Sequence, residues 1–163
     1  MISKRTKVPT PVIDAVLARD GAQLQAAIAA GGNIDETSGD GRTALHHACI
    51  EKEAELVDIL LAAKARPDVA DSNGMTPLHY AARSYQVGIA EKLVRSGVVV
   101  DAIDAHGNTP LFAATFDSKG RGDMIRLLLK AGADKNHTNK HGASPASLAS
   151  TIANYDVAQW LKD

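Results

Sequence analysis

Six histidines and a single cysteine are the residues of this chain best equipped for chemistry. Imidazoles and thiolates hold zinc-like ions, and either group can act as a base or a nucleophile. Their placement argues against each use. His46 and His47 are neighbours; on a helix they point about 100° apart, so they cannot close on one ion. His106, His137 and His141 fall in turn-forming text without a cysteine or carboxylate at ligand spacing. Cys49 follows Ala48 in an apolar stretch and reads as a small buried side chain, with no base positioned to activate it. There is no G-x-S-x-G elbow, phosphate loop or carboxylate pair. Gly120-Arg121-Gly122 is too short and too charged to cradle a phosphate. The expectation is a protein that is no enzyme and has no cofactor or metal.

The two remaining features of these residues are where they recur and what surrounds them. His46 and His79 close the phrases Gly41-Arg42-Thr43-Ala44-Leu45-His46 and Gly74-Met75-Thr76-Pro77-Leu78-His79, and Gly107-Asn108-Thr109-Pro110-Leu111-Phe112 repeats the phrase again. The three threonines are 33 residues apart. A fixed period of this size signals stacked supersecondary units rather than one closed core. Thr10-Pro11 lies one period earlier, and Ser144-Pro145 lies 35 residues after Thr109, so one unit carries two extra residues. The far end of each unit recurs as well, as Gly31-Gly32-Asn33-Ile34-Asp35, Lys64-Ala65-Arg66-Pro67-Asp68, Gly97-Val98-Val99-Val100-Asp101 and Gly132-Ala133-Asp134-Lys135-Asn136. Between the two ends sit apolar runs at helical spacing, such as Leu56, Val57, Ile59, Leu60 and Leu61.

Each phrase has a local reason. A threonine hydroxyl caps an orphan helix N–H, and proline at the first helical position loses nothing. Ala48, Ala81-Ala82 and Ala113-Ala114 are small enough to let helices approach. Gly97 and Gly132 stand where a left-handed helix end is wanted. Asp71-Ser72-Asn73-Gly74 and Asp104-Ala105-His106-Gly107 are turn text.

These phrases resemble the ankyrin repeat, whose pattern runs Gly-x-Thr-Pro-Leu-His-x-Ala-Ala, an apolar helix, then Gly-Ala-Asp-x-Asn. The likeness runs from about Thr10 to the C-terminus. It implies an all-α solenoid of about five stacked helix-turn-helix units with β-turn or hairpin loops. The expected division is a single domain over 1–163: a leader (1–9), an N-terminal cap repeat (10–42), repeats at 43–75, 76–108 and 109–143, and a C-terminal cap (144–163). The resemblance also implies that His46 and His79 hydrogen-bond between neighbouring turns. Departures from the pattern are Lys64 in place of the cap glycine, Lys92 in place of a leucine, and the long charged loop 116–123. The turn at Lys64 is expected to be strained or reshaped, and the Lys92 stem to pack with its charge in water. In the caps, Val12, Ile13, Val16, Leu17, Leu24 and Ile28 are expected to face inward, and Trp160 to plug the C-terminal end.

Net charge is −1, and no basic stripe with aromatic platforms is visible, so nucleic acid is not an expected partner. No run of about 18 apolar residues suggests a membrane span. One cysteine excludes an internal disulfide and suits a cytoplasmic location. A chain that reads as complete, monomeric when free and without an appended domain would work most simply by occluding a partner.

The resemblance places that partner, another protein, on the face formed by turn tips and inner helices. The candidate contact residues are Arg42, His47, Ile50, Glu51, Asn73, Met75, Tyr80, Arg83, His106, Asn108, Phe116 and Asp117, with Lys119 and Arg121 on a loop expected to grip like a thumb. Tyr80, Met75, Phe116, Arg42 and Arg83 have the character of interface anchors. The structural alternative is that Phe116 packs under its own loop and Tyr80 only shields a turn. The segment 144–157 resembles the ends of small bacterial ankyrin proteins, some encoded beside secreted toxins. The favoured reading is an immunity protein that neutralises a toxin; the alternative is a regulatory adaptor or inhibitor of a host enzyme.

Overall fold

The computed structural model describes residues 10–162; the expected leader at 1–9 lies outside them. Helices alternate between two layers: α1 (Pro11–Leu17), α3 (Ala44–Ile50), α5 (Pro77–Arg83), α7 (Pro110–Phe116) and α9 (Pro145–Thr151) stack on one another in the inner layer. The outer layer is α2 (Gly21–Ala29), α4 (Ala54–Ala62), α6 (Val87–Arg95) and α8 (Asp123–Lys130), closed by a 3-10 helix at Val157–Leu161. No strand occurs among the described residues, so the architecture is the all-α repeat solenoid that the period implies.

Helices of seven to nine residues are too short to persist alone. Their starts are fixed by caps: the Thr43 hydroxyl accepts from the His46 amide, Thr109 from Phe112, Ser144 from Ser147, and the Asp20 carboxylate from Gln23. Their persistence comes from burial between layers. One leucine in each helix from α2 to α8 has no exposed surface: Leu24, Leu45, Leu60, Leu78, Leu93, Leu111 and Leu128. The fully buried Ala48, Ala81, Ala82 and Ala114 let the inner helices close up. Ala113 does not; it is half-buried, with consequences for the site below.

Successive units are stitched by backbone amides to carboxylates of the preceding unit. Arg66 N donates to Asp35 Oδ1 (2.8 Å), Val99 N to Asp68 Oδ1 (2.8 Å) and Asp134 N to Asp101 Oδ2 (3.0 Å). This is why an aspartate ends the first three of these units, where the fourth ends in Asn136. The turn text folds into hairpins closed by Ser38 N to Arg42 O, Asp71 N to Met75 O, Asp104 N to Asn108 O and Asn139 N to Ala143 O. Adjacent tips join through Ser72 N to Asp40 O, Ala105 N to Asn73 O and Lys140 N to His106 O.

The departures resolve individually. Lys64 adopts the left-handed conformation (φ +69°) that glycine holds at Gly31, Gly97 and Gly132, so the turn is kept at the cost of a strained lysine. Lys92 does not leave its charge to water alone; its ammonium pairs with Asp58 on the preceding outer helix. Leu17 corrects an expectation: it is 49% exposed, because among the described residues no further unit covers that side of α1. Val12, Ile13, Val16 and Leu24 are buried as expected, and Ile28 is half-buried.

The long loop is pinned at both sides. The Arg121 guanidinium stacks 3.9 Å from the Tyr85 ring centroid, and the Tyr85 hydroxyl donates to the Arg121 carbonyl. Trp160 Nε1 donates to Gly120 O (3.1 Å), and the indole lies so close on Gly122 that a Cβ there would collide with it. Trp160 therefore seals the loop against the C-terminal end, with Arg126 4.5 Å over its ring.

Candidate protein-docking face

His46 and His79 tie the hairpins to the inner helices. His46 Nδ1 accepts from Thr43 N (3.1 Å) while Nε2 donates to Met75 O (3.0 Å), one unit ahead. His79 repeats this with Thr76 N and Asn108 O, both at 3.1 Å. Each ring is therefore used as a neutral donor-acceptor, and burial pushes both pKa values below the usual histidine value. Unfolded histidines titrate near 6.5, so between the folded and unfolded values the unfolded chain binds more protons. Stability is complete above about pH 6.5 and is lost as pH falls through that window. Urea midpoints should drop from about pH 7.5 to about pH 5; equal midpoints at both values would contradict this role for the two histidines.

Arg42 and Tyr80 turn towards each other. The Arg42 Nη2 donates to the Tyr80 oxygen (2.9 Å), and the Tyr80 hydroxyl donates to Asp71 Oδ2 (2.6 Å). Asp71 Oδ1 accepts from the Asn73 and Met75 amides (2.8 and 3.0 Å). Burial works against the Asp71 charge, but the Tyr80 hydroxyl and the two amides outweigh it and hold the carboxyl below its usual pKa. The aspartate side chain is fully buried as a result. Tyr80 thus shields its hairpin.

One period on, the same place is open. A groove of about 260 Å³ lies between α5, α7 and the hairpins at 71–75 and 104–108. Met75, Arg83, Asn108, Phe116 and Asp117, five of the residues expected at a docking face, line it. Phe116 is 66% exposed and stands clear of the loop that follows it. Arg83 Nε lies 3.9 Å from Asp117 Oδ2, a loose pair at the rim. Asn108 is held by Asp104 Oδ2 (3.2 Å) and by Asn139 Nδ2 (2.8 Å).

The other expected residues stand apart from this groove. Glu51 pairs with Arg19 at 2.5 Å, and His47 Nε2 lies 3.4 Å from Ser38 Oγ, both with the half-buried Ile50 towards the N-terminal end. Asn73 and His106 are exposed on hairpin tips, His106 stacking on His141 with ring centroids 6.3 Å apart. Lys119 is exposed on the pinned loop, and Arg121 is occupied by Tyr85. Asp104 and Phe112 line the groove but are absent from the expected contact residues. The signal for Asp104 was present in the sequence: alanine at 113 stands one period after Tyr80, so nothing comparable covers the aspartate.

No group of three or more metal-ligating side chains occurs among the described residues. Burial drives the Cys49 thiol pKa up, which removes the thiolate that a nucleophile requires. Among the described residues, no helix is long and apolar enough to cross a membrane.

The family pattern described as Ankyrin repeats (3 copies) matches residues 13–104 and again 73–139. The chain is an ankyrin-repeat protein. No curated protein sequence matches it. Ankyrin repeats are protein–protein interaction modules and typically carry no catalysis, in keeping with the open groove and the histidines committed to backbone. For this ankyrin-repeat protein, the Leu-His phrase is structural in two units. In the third, Phe112 replaces the histidine and is among the residues that line the groove.

Proposed function

We propose that this chain acts by occlusion, seating a partner protein on the groove between α5 and α7 and covering a surface that the partner needs. The observation that carries this is the combination of an exposed Phe116, the apolar Met75 and Phe112 walls, and a loose Arg83–Asp117 pair at one place. Aromatic and arginine side chains dominate the energetics of such interfaces. The groove is the centre of the contact, with the surrounding hairpin tips forming a polar rim of the usual extent, about 800 Å² per partner.

The partner class we favour is a secreted toxin held inactive, supported by the resemblance of segment 144–157 to small bacterial ankyrin proteins. An inhibitor of a host enzyme would use the same occlusion. Co-expression with a toxin encoded beside the gene tests the choice: a complex and rescued growth support immunity, and the absence of both removes it. For the face itself, Phe116→Ala should weaken the complex by about 30-fold, the equivalent of an anchor worth about 2 kcal/mol. Arg66→Ala, at an exposed site outside the groove, should leave affinity unchanged. Equal effects of the two substitutions would remove the groove from the interface.

A further inference from the structure

The repeat supplies its own reference for what fills this groove. Tyr80 lies among Arg42, His46 and Asp71: its hydroxyl donates to Asp71 Oδ2, its ring meets His46 edge-on with centroids 6.0 Å apart, and the Arg42 guanidinium lies 5.2 Å from it. Adding one period to each of these four positions gives Ala113, Met75, His79 and Asp104. All four line the open groove. The aspartate is still shaped by its hairpin, with Oδ1 accepting from the His106 and Asn108 amides at 2.8 Å. The phenol is missing: alanine takes its place, Oδ2 accepts a 3.2 Å bond from Asn108 Nδ2 instead, and Asp104 is half-buried where the Asp71 side chain is wholly buried.

We infer that the groove takes a tyrosine side chain from the partner, which supplies between chains what Tyr80 supplies within the chain. This rests on the docking reading above and names the group recognised. The ring would lie against Met75 and edge-on to His79, with Phe116 at the rim, and the hydroxyl would donate to Asp104 Oδ2. Size permits it, since a cavity of about 150 Å³ already admits a benzene ring and this one is about 260 Å³. Charge permits it too. The replacement of Arg42 by Met75 removes the cation from the acidic floor, so a neutral hydroxyl donor finds an acceptor and an apolar wall together. A phenylalanine would leave Oδ2 with only its 3.2 Å bond from Asn108 Nδ2, and a site shaped to bond a hydroxyl discriminates against the analogue without one.

The test uses the isotope-labelled chain titrated with N-acetyl-tyrosinamide, N-acetyl-phenylalaninamide and N-acetyl-argininamide, read by amide shifts in an NMR spectrum. The tyrosine amide should bind about tenfold more tightly than the phenylalanine amide, as expected for one hydrogen bond to a charged acceptor. Its shifts should centre on Met75, His79, Asp104 and Ala113. Asp104→Asn should erase that preference, because the second oxygen becomes a donor. The hairpin tolerates this change: Asn139, at the matching place in the next unit, accepts from the corresponding amides of His141 and Ala143 at 2.9 and 3.0 Å. Ala113→Tyr should fill the groove from within and abolish binding of all three amides; should that variant fail to fold, Asp104→Asn carries the test.

Equal binding of the tyrosine and phenylalanine amides would overturn the assignment. So would tighter binding of the arginine amide, shifts centred elsewhere, or a preference that survives Asp104→Asn. Any of these results beside a retained effect of Phe116→Ala on the partner removes the tyrosine and leaves the docking face. Loss of the Phe116 effect removes the face.

Discussion

Leu60→Ala should destabilise the chain by about 2–5 kcal/mol, the cost of deleting a fully buried leucine and leaving a cavity. Leu60 sits on α4, which packs against both α2 and α6 in the outer layer. Neither neighbour can bury its own apolar face without it, because each unit completes the core of the next. The loss should therefore appear as a single cooperative transition moved to lower urea, with helical signal from several units lost together. A midpoint shift equivalent to less than about 1 kcal/mol would mean that the interior relaxes around the cavity and that the layers are less interdependent than their packing indicates. Loss of partner binding in this variant would carry no information about the contact surface, since the hairpins that form the groove would unfold with the helices.

Gly74→Ala should cost about 2–5 kcal/mol, from two sources that add. The residue is in the left-handed region (φ +74°), which penalises any Cβ by about 1–2 kcal/mol. A Cβ would also come within 2.9 Å of Ala105 N and 3.0 Å of the Asp104 carbonyl carbon. These are backbone atoms of the next hairpin and cannot rotate aside, so overpacking adds about 1–3 kcal/mol. Gly142 separates the two effects. It has nearly the same conformation (φ +76°), but a Cβ there would meet nothing within 4 Å, so Gly142→Ala should lose only the first, about 1–2 kcal/mol. Paired denaturation curves decide the matter: equal losses at the two glycines would show that hairpin tips do not press on one another, against the amide–carbonyl ladder that joins them.

The 33-residue period makes most of the fold legible from sequence. Thr-Pro marks the starts of inner helices, and the Gly-Ala-Asp text marks the ends of outer ones. Even Lys64 is legible as an exception, because a left-handed residue is dictated by the chain path whatever side chain occupies it. What the period does not give is the direction in which individual side chains point. Arg42 and Tyr80 look like free anchors, yet a buried carboxylate at Asp71 draws both of them inward. Lys119 and Arg121 look like a thumb because the loop is long and charged; Tyr85 and Trp160 pin it by contacts that no local pattern announces. Leu17 is apolar at helical spacing, but spacing does not reveal which side of a helix another unit covers.

The site is half legible for the same reason. Phe116, Met75 and Arg83 stand out by residue type. Asp104 does not, because its role depends on a comparison between units: the small Ala113 matters only beside Tyr80. Repeat proteins offer this kind of internal control. A position that breaks the pattern without filling the space left by its counterpart marks a place where something else can enter.

Hydrogen exchange of the chain, alone and in complex with the protein it binds in its own cells, tests the central claim most directly. The account predicts that added protection falls on the hairpins at 71–75 and 104–108 and on α5 and α7, with the outer helices α4, α6 and α8 unchanged. Protection confined to those outer helices, with the groove exchanging as in the free chain, would contradict it.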